Sequence, residues 1–202
     1  MRIIKKEFFK GKIVLYLDNG EKSLPLLKTV FYESGFKIGS EITDEELFNL
    51  TLVSENKRAY QRALYYLSRS NMSSGYLFKK LKASFLEESA KNAVDMVLKK
   101  GYINDTEYAE SLSLRLSEEG RSLREITEKM YLKGVKKADI EYALSKLTID
   151  ENAALKTLIY KKYKSKLFLP DGEKKVSAAL MRRGFSYDEI KKAIKEVLCE
   201  NE

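Results

Sequence analysis

A period of about 50 residues constrains this chain more than any other feature. When the sequence is shifted against itself by 50, Ala93 falls on Ala143 and Ala193, and Val94 on Leu144 and Ile194. Val97 falls on Leu147 and Val197, Phe85 on Val135 and Phe185, and Ala90 on Ile140 and Ile190. In the last two copies Gly134 falls on Gly184, Lys133 on Arg183, Ile126 on Val176 and Met130 on Leu180. Leu77 and Leu81 join the same register after a one-residue gap, so the first copy is the divergent one. Within each copy the apolar residues recur at i, i+3, i+4 and i+7, which marks one buried face per helix. A fixed period of this length is the signature of stacked supersecondary units.

The unit reads as helix, helix, short glycine turn, helix. Helices are expected near 44–53, 56–69, 74–83, 87–100, 106–118, 123–133, 138–147, 151–165, 173–183 and 187–199. Thr43 with Glu46, Ser122 with Glu125 and Ser186 with Glu189 have capping-box spacing. Asp105 is placed to cap the helix that follows it. Gly134 and Gly184 sit where a left-handed residue ends a helix.

The first 25 residues differ. Ile13, Leu15 and Leu17 alternate with Val14 and Tyr16, and Asn19-Gly20 follows as a hairpin signal. With Arg2–Phe8 and a return near Ser23-Leu24 they predict a small three-stranded sheet, which must pack on the next helices to be stable. Leu26, Leu27, Val30 and Phe31 have helical spacing before Gly35. The expected fold is therefore mainly α, with three tandem three-helix repeats forming an elongated, curved body behind a small N-terminal sheet. The expected modules are 1–54, 55–104, 105–149 and 150–202.

Composition narrows the chemistry. The chain has no histidine and one cysteine, Cys199, which removes the commonest general base, the commonest zinc ligand and any Cys-His nucleophile. It has no Walker A loop and no Gly-x-Gly-x-x-Gly. No enzyme activity, metal or cofactor is expected. The absence of an apolar run of spanning length, of a signal-peptide pattern and of a cysteine pair points to the cytosol.

The net charge of +8 is unevenly spread. Residues 55–105 carry ten basic and five acidic groups, and residues 150–202 carry twelve and nine. The other two segments are balanced. Such an excess suits a polyanion or an acidic protein surface, and also suits a plain lysine-rich solvated face. The clusters are Lys79, Lys80 and Lys82; Lys99 and Lys100; Arg121 and Arg124; Lys161, Lys162, Lys164 and Lys166; and Arg182 with Arg183. Many of them close a helix, where cations offset the macrodipole without needing a partner. The Lys161–Lys166 run is less ordinary, because Tyr160, Tyr163 and Phe168 interleave with it. Tyr65 and Tyr66 are adjacent on a helix and cannot share one face.

Several stretches resemble the RecX family of bacterial regulatory proteins. They include Ala63-Leu64-Tyr65-Tyr66-Leu67-Ser68-Arg69, then Leu77 and Lys80-Leu81. Ala93-Val94, Leu98, Gly101-Tyr102-Ile103-Asn104-Asp105 and Tyr108-Ala109 form the sharpest part. Arg115, Ile126, Lys133-Gly134-Val135, Arg183-Gly184-Phe185 and Ile190 complete it. Tyr76-Leu77 and Ala83-Ser84-Phe85 depart from the family's usual Glu-Leu and glycine turn. The resemblance implies a non-enzymatic helical protein that binds the recombinase RecA and its filament on single-stranded DNA, and a monomer suits a binder that lies in a filament groove. It implies inhibition or modulation of RecA ATPase and strand exchange, with some members also binding DNA. The basic clusters above are then the candidate contacts to RecA or DNA. A stand-alone DNA-binding helical repeat is the competing expectation.

Overall fold

The computed structural model describes residues 1–148 and 150–199, so the expected module boundary at residue 149 lies outside the described residues. The chain divides into two compact units, Met1–Ile103 and Asn104–Glu202. Among the described residues they hold three strands and eleven helices.

Unit 1 begins with a sheet of order β1-β2-β3, all antiparallel, formed by β1 (Ile3–Phe9), β2 (Lys12–Leu17) and β3 (Leu26–Leu27). The alternation seen in the sequence is real: Ile13, Leu15 and Leu17 are buried, and the residues between them are half-exposed. The turn from β1 to β2 is Lys10-Gly11, both at positive φ (47° and 79°), as a two-residue hairpin turn requires. The return strand lies beyond the expected place. Asn19-Gly20 makes a turn with a single bridge between Tyr16 and Lys22, but continuous pairing resumes only after Pro25, at Leu26-Leu27. Proline has no N–H for the ladder, so the strand forms on its far side. Helix α1 (Lys28–Glu33) follows, and Gly35 ends it at φ 78°.

The sheet buries Ile3, Ile13, Leu15, Leu17 and Leu26 against Val30, Phe31, Ile42 and Leu50. Leu50 belongs to α2 (Asp44–Leu67), which replaces the two helices expected at 44–53 and 56–69 by one of 24 residues. Its N-terminal half buries Leu50 and Ser54, while its C-terminal half buries Ala59 and Ala63. Leu50 and Ala59 are about 2.5 turns apart and so lie on opposite sides of the helix. One helix therefore serves two cores. The second core adds α3 (Ser74–Lys82) and α4 (Glu87–Lys99) and closes on Leu77, Leu81, Ala90, Ala93, Val94, Val97 and Ile103.

Unit 2 contains two further three-helix cores. The first packs α5 (Asp105–Glu118), α6 (Leu123–Leu132) and α7 (Lys137–Lys146) around Ala109, Leu112, Leu116, Ile126, Met130, Val135, Ile140 and Ala143. The second packs α8 (Glu151–Lys162), a short α9 (Lys164–Leu167), α10 (Gly172–Met181) and α11 (Tyr187–Cys199). Its core includes Leu155, Ile159, Val176, Leu180, Phe185, Ile190, Ala193 and Val197. The helix expected at 151–165 is broken at Tyr163, between α8 and α9. In all three repeats the first helix packs on the third, and the alanine of the period, at 93, 143 and 193, is buried there.

Two caps differ from expectation. Asn104, not Asp105, caps α5, its side chain accepting from the Glu107 N–H at 3.1 Å. Ser122 caps α6, but Glu125 does not complete the box, because the Ser122 N–H donates to the Arg183 carbonyl at 3.3 Å. Thr43–Glu46 and Ser186–Glu189 are complete boxes.

Gly184 combines a left-handed backbone (φ 87°) with close approach: an added Cβ would overlap the Ser122 hydroxyl. Gly20 has a similar φ of 85° with open space around it. Gly184→Ala is expected to lose about 3 kcal/mol in urea unfolding, and Gly20→Ala only about 1 kcal/mol from backbone strain alone. Equal losses would contradict the packing argument.

Candidate functional site

Each unit collects basic side chains on its surface. In unit 1 the helix ends bring cations onto aromatic rings. The Lys80 ammonium sits 4.7 Å from the Tyr66 ring centre and 5.4 Å from that of Tyr76. Arg62, on α2, lies 5.7 Å from the Tyr65 ring and 5.9 Å from that of Tyr66. Arg69 lies 5.2 Å from Tyr65 on its other flank in sequence. Lys100 donates to the Tyr60 hydroxyl at 2.9 Å, and that hydroxyl raises the ammonium's pKa above its usual value. Lys82 is engaged by Glu87 at 2.6 Å. Lys79 and Lys99 are exposed.

Arg62 and Arg69 did not stand out in the sequence, because neither belongs to a run of like charge. The signal was the spacing: Arg58, Arg62 and Tyr65 follow i, i+4 and i+7 on α2, and Arg69 continues it at i+11 just past the helix end. Arg58 lies 5.6 Å from the Phe85 ring. Next to it, Lys12 is held below the usual lysine pKa, first by burial and then by the charges of Arg58 and Lys10.

In unit 2 Arg121, Arg124, Arg182 and Arg183 gather where the start of α6 meets the end of α10, but they do different jobs. Arg183 Nη1 donates to the carbonyls of Glu119 (3.0 Å) and Gly120 (3.3 Å). Its own carbonyl accepts from the Ser122 hydroxyl at 3.0 Å. Arg121 pairs with Glu119 at 3.0 Å and with Glu125. The Leu123 N–H donates to Glu151 at 2.7 Å. Arg183 and the Leu123–Glu151 bond thus fasten two repeats together, while Arg121 is held by two carboxylates of its own repeat. Arg124 and Arg182 are exposed and border a shallow cleft with Glu128, Met181 and Tyr187. Arg124 pairs with Glu128 at 3.2 Å across solvent-exposed side chains, a contact of small energetic weight.

The other basic end of unit 2 is the α8–α9 break. Lys161 and Lys162 are exposed in the last turn of α8. Lys164 lies 4.1 Å from the Tyr160 ring, and Lys166 lies 5.8 Å from that of Tyr163. Phe168 and Leu169 beside them are largely exposed. The interleaving read from the sequence is therefore also an interleaving in space. Among the described residues no group of three potential metal ligands occurs, and no helix is long and apolar enough to cross a membrane.

The family model for the third three-helix domain of RecX matches residues 150–194. The regulatory protein RecX of Streptococcus uberis is 30% identical over 196 residues, covering 95% of this chain and 75% of that protein. The chain belongs to the RecX family. The regulatory protein RecX of Clostridioides difficile is 26% identical over 193 residues, covering 93% and 90% of the two chains. Two solved RecX structures share the fold. A crystal structure of regulatory protein RecX aligns with a TM-score of 0.62 at 24% identity, covering 96% of this chain and 98% of that one. RecX from Lactobacillus salivarius aligns at 0.58 and 24% identity, covering 72% and 97%. RecX membership accounts for the period and its turns; the uses of the basic surfaces rest on their own geometry.

Truncating Arg183 to Ala should cost about 1–2 kcal/mol in urea unfolding, since it strips charge-assisted bonds from two carbonyls. Arg182→Ala should change stability by less than about 0.5 kcal/mol. Glu119 adds a pH dependence. The Arg121 hydrogen bond lowers its pKa below the ordinary 4.5, so its contribution is present above that value and fades as pH falls through the depressed one. Glu119→Gln should therefore flatten the loss of stability below about pH 4.5; an unchanged acid limb in the variant would contradict this coupling.

Proposed function

We propose that this protein regulates RecA, binding the recombinase and its filament on single-stranded DNA and inhibiting or modulating ATP hydrolysis and strand exchange. The observation that carries the reading is family membership that spans 95% of the chain, with the RecA partner implied by the sequence resemblance. Charge agrees with it: a nucleoprotein filament is a polyanion, and the cationic surfaces of this protein attract one. The three repeats and the N-terminal module, 1–54, 55–104, 105–149 and 150–202, work as a cytosolic monomer. Several separate contacts on one chain raise avidity through effective concentration.

Partner contacts are assigned to groups of the basic clusters that reach the surface, foremost the exposed Lys161 and Lys162 and the half-buried Lys164. Arg183 serves indirectly, by holding two repeats in register, and Arg121 is engaged by Glu119 and Glu125 of its own repeat. Saturating protein should slow DNA-dependent ATP hydrolysis by RecA and reduce strand exchange; no effect on either would overturn the reading. The Lys161→Glu/Lys162→Glu variant should need about fivefold more protein for half-inhibition, from roughly 0.5 kcal/mol per exposed charge contact.

A further inference from the structure

The tip of the β1–β2 hairpin is built unlike the rest of the sheet. Its turn, Lys10-Gly11, is preceded by Phe8 and Phe9, which are 57% and 59% exposed. Phe8 is paired across the hairpin with Ile13, and Phe9 with Lys12. Consecutive strand residues project to opposite faces of a sheet, so each face of the tip carries one open phenylalanine. Each ring also has its own cation. Lys28, at the start of α1, lies 4.8 Å from the centre of the Phe8 ring, and Lys10 lies 5.2 Å from that of Phe9. The core closes without either ring, on Ile13, Leu15, Leu17 and Leu26.

The cations of the tip have no anion of their own. The ion pairs of this unit use Arg2, Lys5, Lys57 and Lys82. Among the described residues no carboxylate lies within salt-bridge distance of Lys10, Lys12, Lys28 or Arg58. Glu7, the acid nearest in sequence to the turn, is taken by Lys5 and by the Tyr16 hydroxyl. Lys12 is held below the usual lysine pKa by burial and by the charges of Arg58 and Lys10. An anion brought to the tip relieves a repulsion that the protein leaves uncompensated.

Open rings on opposite faces select among partners. A protein groove or a run of bases covers one face of a hairpin and leaves the ring on the other face in water. The interface of a bilayer surrounds whatever enters it and takes up both rings at once. Its acyl boundary accepts the rings, and its anionic headgroups meet the ammonium groups that lysine stems hold at the same level.

We propose that the Phe8–Phe9–Lys10 tip of the first hairpin, with Lys12 and Lys28 beside it, is a docking site for an anionic lipid surface. Docking there is reversible, since two rings and a few cations fall well short of a spanning helix. It is independent of the regulatory reading, because neither RecA nor DNA takes part in it.

Co-sedimentation of the full-length protein with vesicles tests the site, comparing phosphatidylcholine alone with equal parts of phosphatidylcholine and phosphatidylglycerol. The protein should partition onto the anionic vesicles and stay in solution with the neutral ones, and added salt should release it. Phe8→Ser/Phe9→Ser should weaken partitioning about tenfold through lost apolar burial. Lys10→Gln/Lys28→Gln should weaken it about 25-fold, roughly fivefold per cation. All four side chains are exposed, so the urea midpoint of both variants should match that of the wild type. The chain contains no tryptophan, so Phe8→Trp and Phe9→Trp each install a single reporter. Emission from both should move to shorter wavelength on anionic vesicles, while Tyr131→Trp, at an exposed position in unit 2, should not respond. A shift at position 8 or 9 alone marks a one-sided partner and overturns the proposal. A shift as large at position 131 marks general adsorption of a basic protein and overturns it as well. Equal uptake by neutral and anionic vesicles, or unchanged partitioning by the lysine variant, has the same consequence. So does a failure to bind anionic vesicles, and capture of an oligonucleotide that is then lost in Phe8→Ser/Phe9→Ser would assign the tip to nucleic acid instead. No RecA is present in the assay, so a protein that ignores vesicles yet inhibits RecA sinks this inference and leaves the regulatory reading standing.

Discussion

Each three-helix repeat depends on its first helix packing against its third, with a small buried side chain between them. Ala93, Ala143 and Ala193 hold that position, and all are at most 1% exposed. Interaxial distance between packed helices is set by the side chains at the contact. A bulkier residue there would part the two helices and leave the second, which supplies Leu77 and Leu81, Ile126 and Met130, or Val176 and Leu180, without its bed. The left-handed glycines at 134 and 184 then turn the chain from second helix to third within a few residues. The recurrence of alanine in all three repeats is therefore a geometric demand of the unit, whereas the glycine turn belongs to the last two, Ala83-Ser84 taking its place in the first.

Within each unit, successive cores are joined by different physical means. In unit 1 a single helix rotates its buried face by half a turn, from Leu50 and Ser54 to Ala59 and Ala63, so no loop intervenes between the sheet and the first repeat. In unit 2 the connection is polar. Ser122, Glu119 and Gly120 are bound to Arg183 through both its side chain and its carbonyl, and Gly184 leaves room for the Ser122 hydroxyl. The first device stiffens the helix that carries the arginine and tyrosine stripe. The second fixes the register of two repeats through hydrogen bonds to backbone atoms, which any side chain replacing Arg183 would have to reproduce.

These two joints also mark where the sequence could and could not be read. The helices of the repeats were legible because one face stays buried throughout, and the complete boxes at Thr43 and Ser186 were legible because the bonding is local. α2 read as two helices because its apolar stripe switches sides between Ser54 and Ala59, which breaks a simple period. The half-box at Ser122 was hidden because its N–H is taken by a residue 61 positions away. The hairpin turn at Lys10-Gly11 was missed for a plainer reason: lysine is not a usual residue at positive φ, and Asn19-Gly20 carried the stronger local signal. Arg121 and Arg183 looked like partner contacts since a run of basic residues cannot show which side chains are already bound within the chain, Arg121 to two carboxylates and Arg183 to two backbone carbonyls.

Counting charge alone therefore ranks the surfaces poorly. Residues 150–202 carry more basic groups than residues 55–105 but also more acids, nine against five; one of their arginines is bound internally, and Lys156 pairs with Glu196. In the first repeat Arg62 comes from α2, Arg69 from the turn that follows it and Lys80 from α3, so no stretch of sequence displays them as a cluster. Tertiary packing assembles them and inserts tyrosines between them. A cation flanked by rings keeps its charge, is restrained in position, and leaves an aromatic surface beside it. Rigidly held charge beside an open ring loses less conformational entropy on binding than a free lysine tail does. That difference ranks a ring-flanked cation above a free lysine tail as a recognition group.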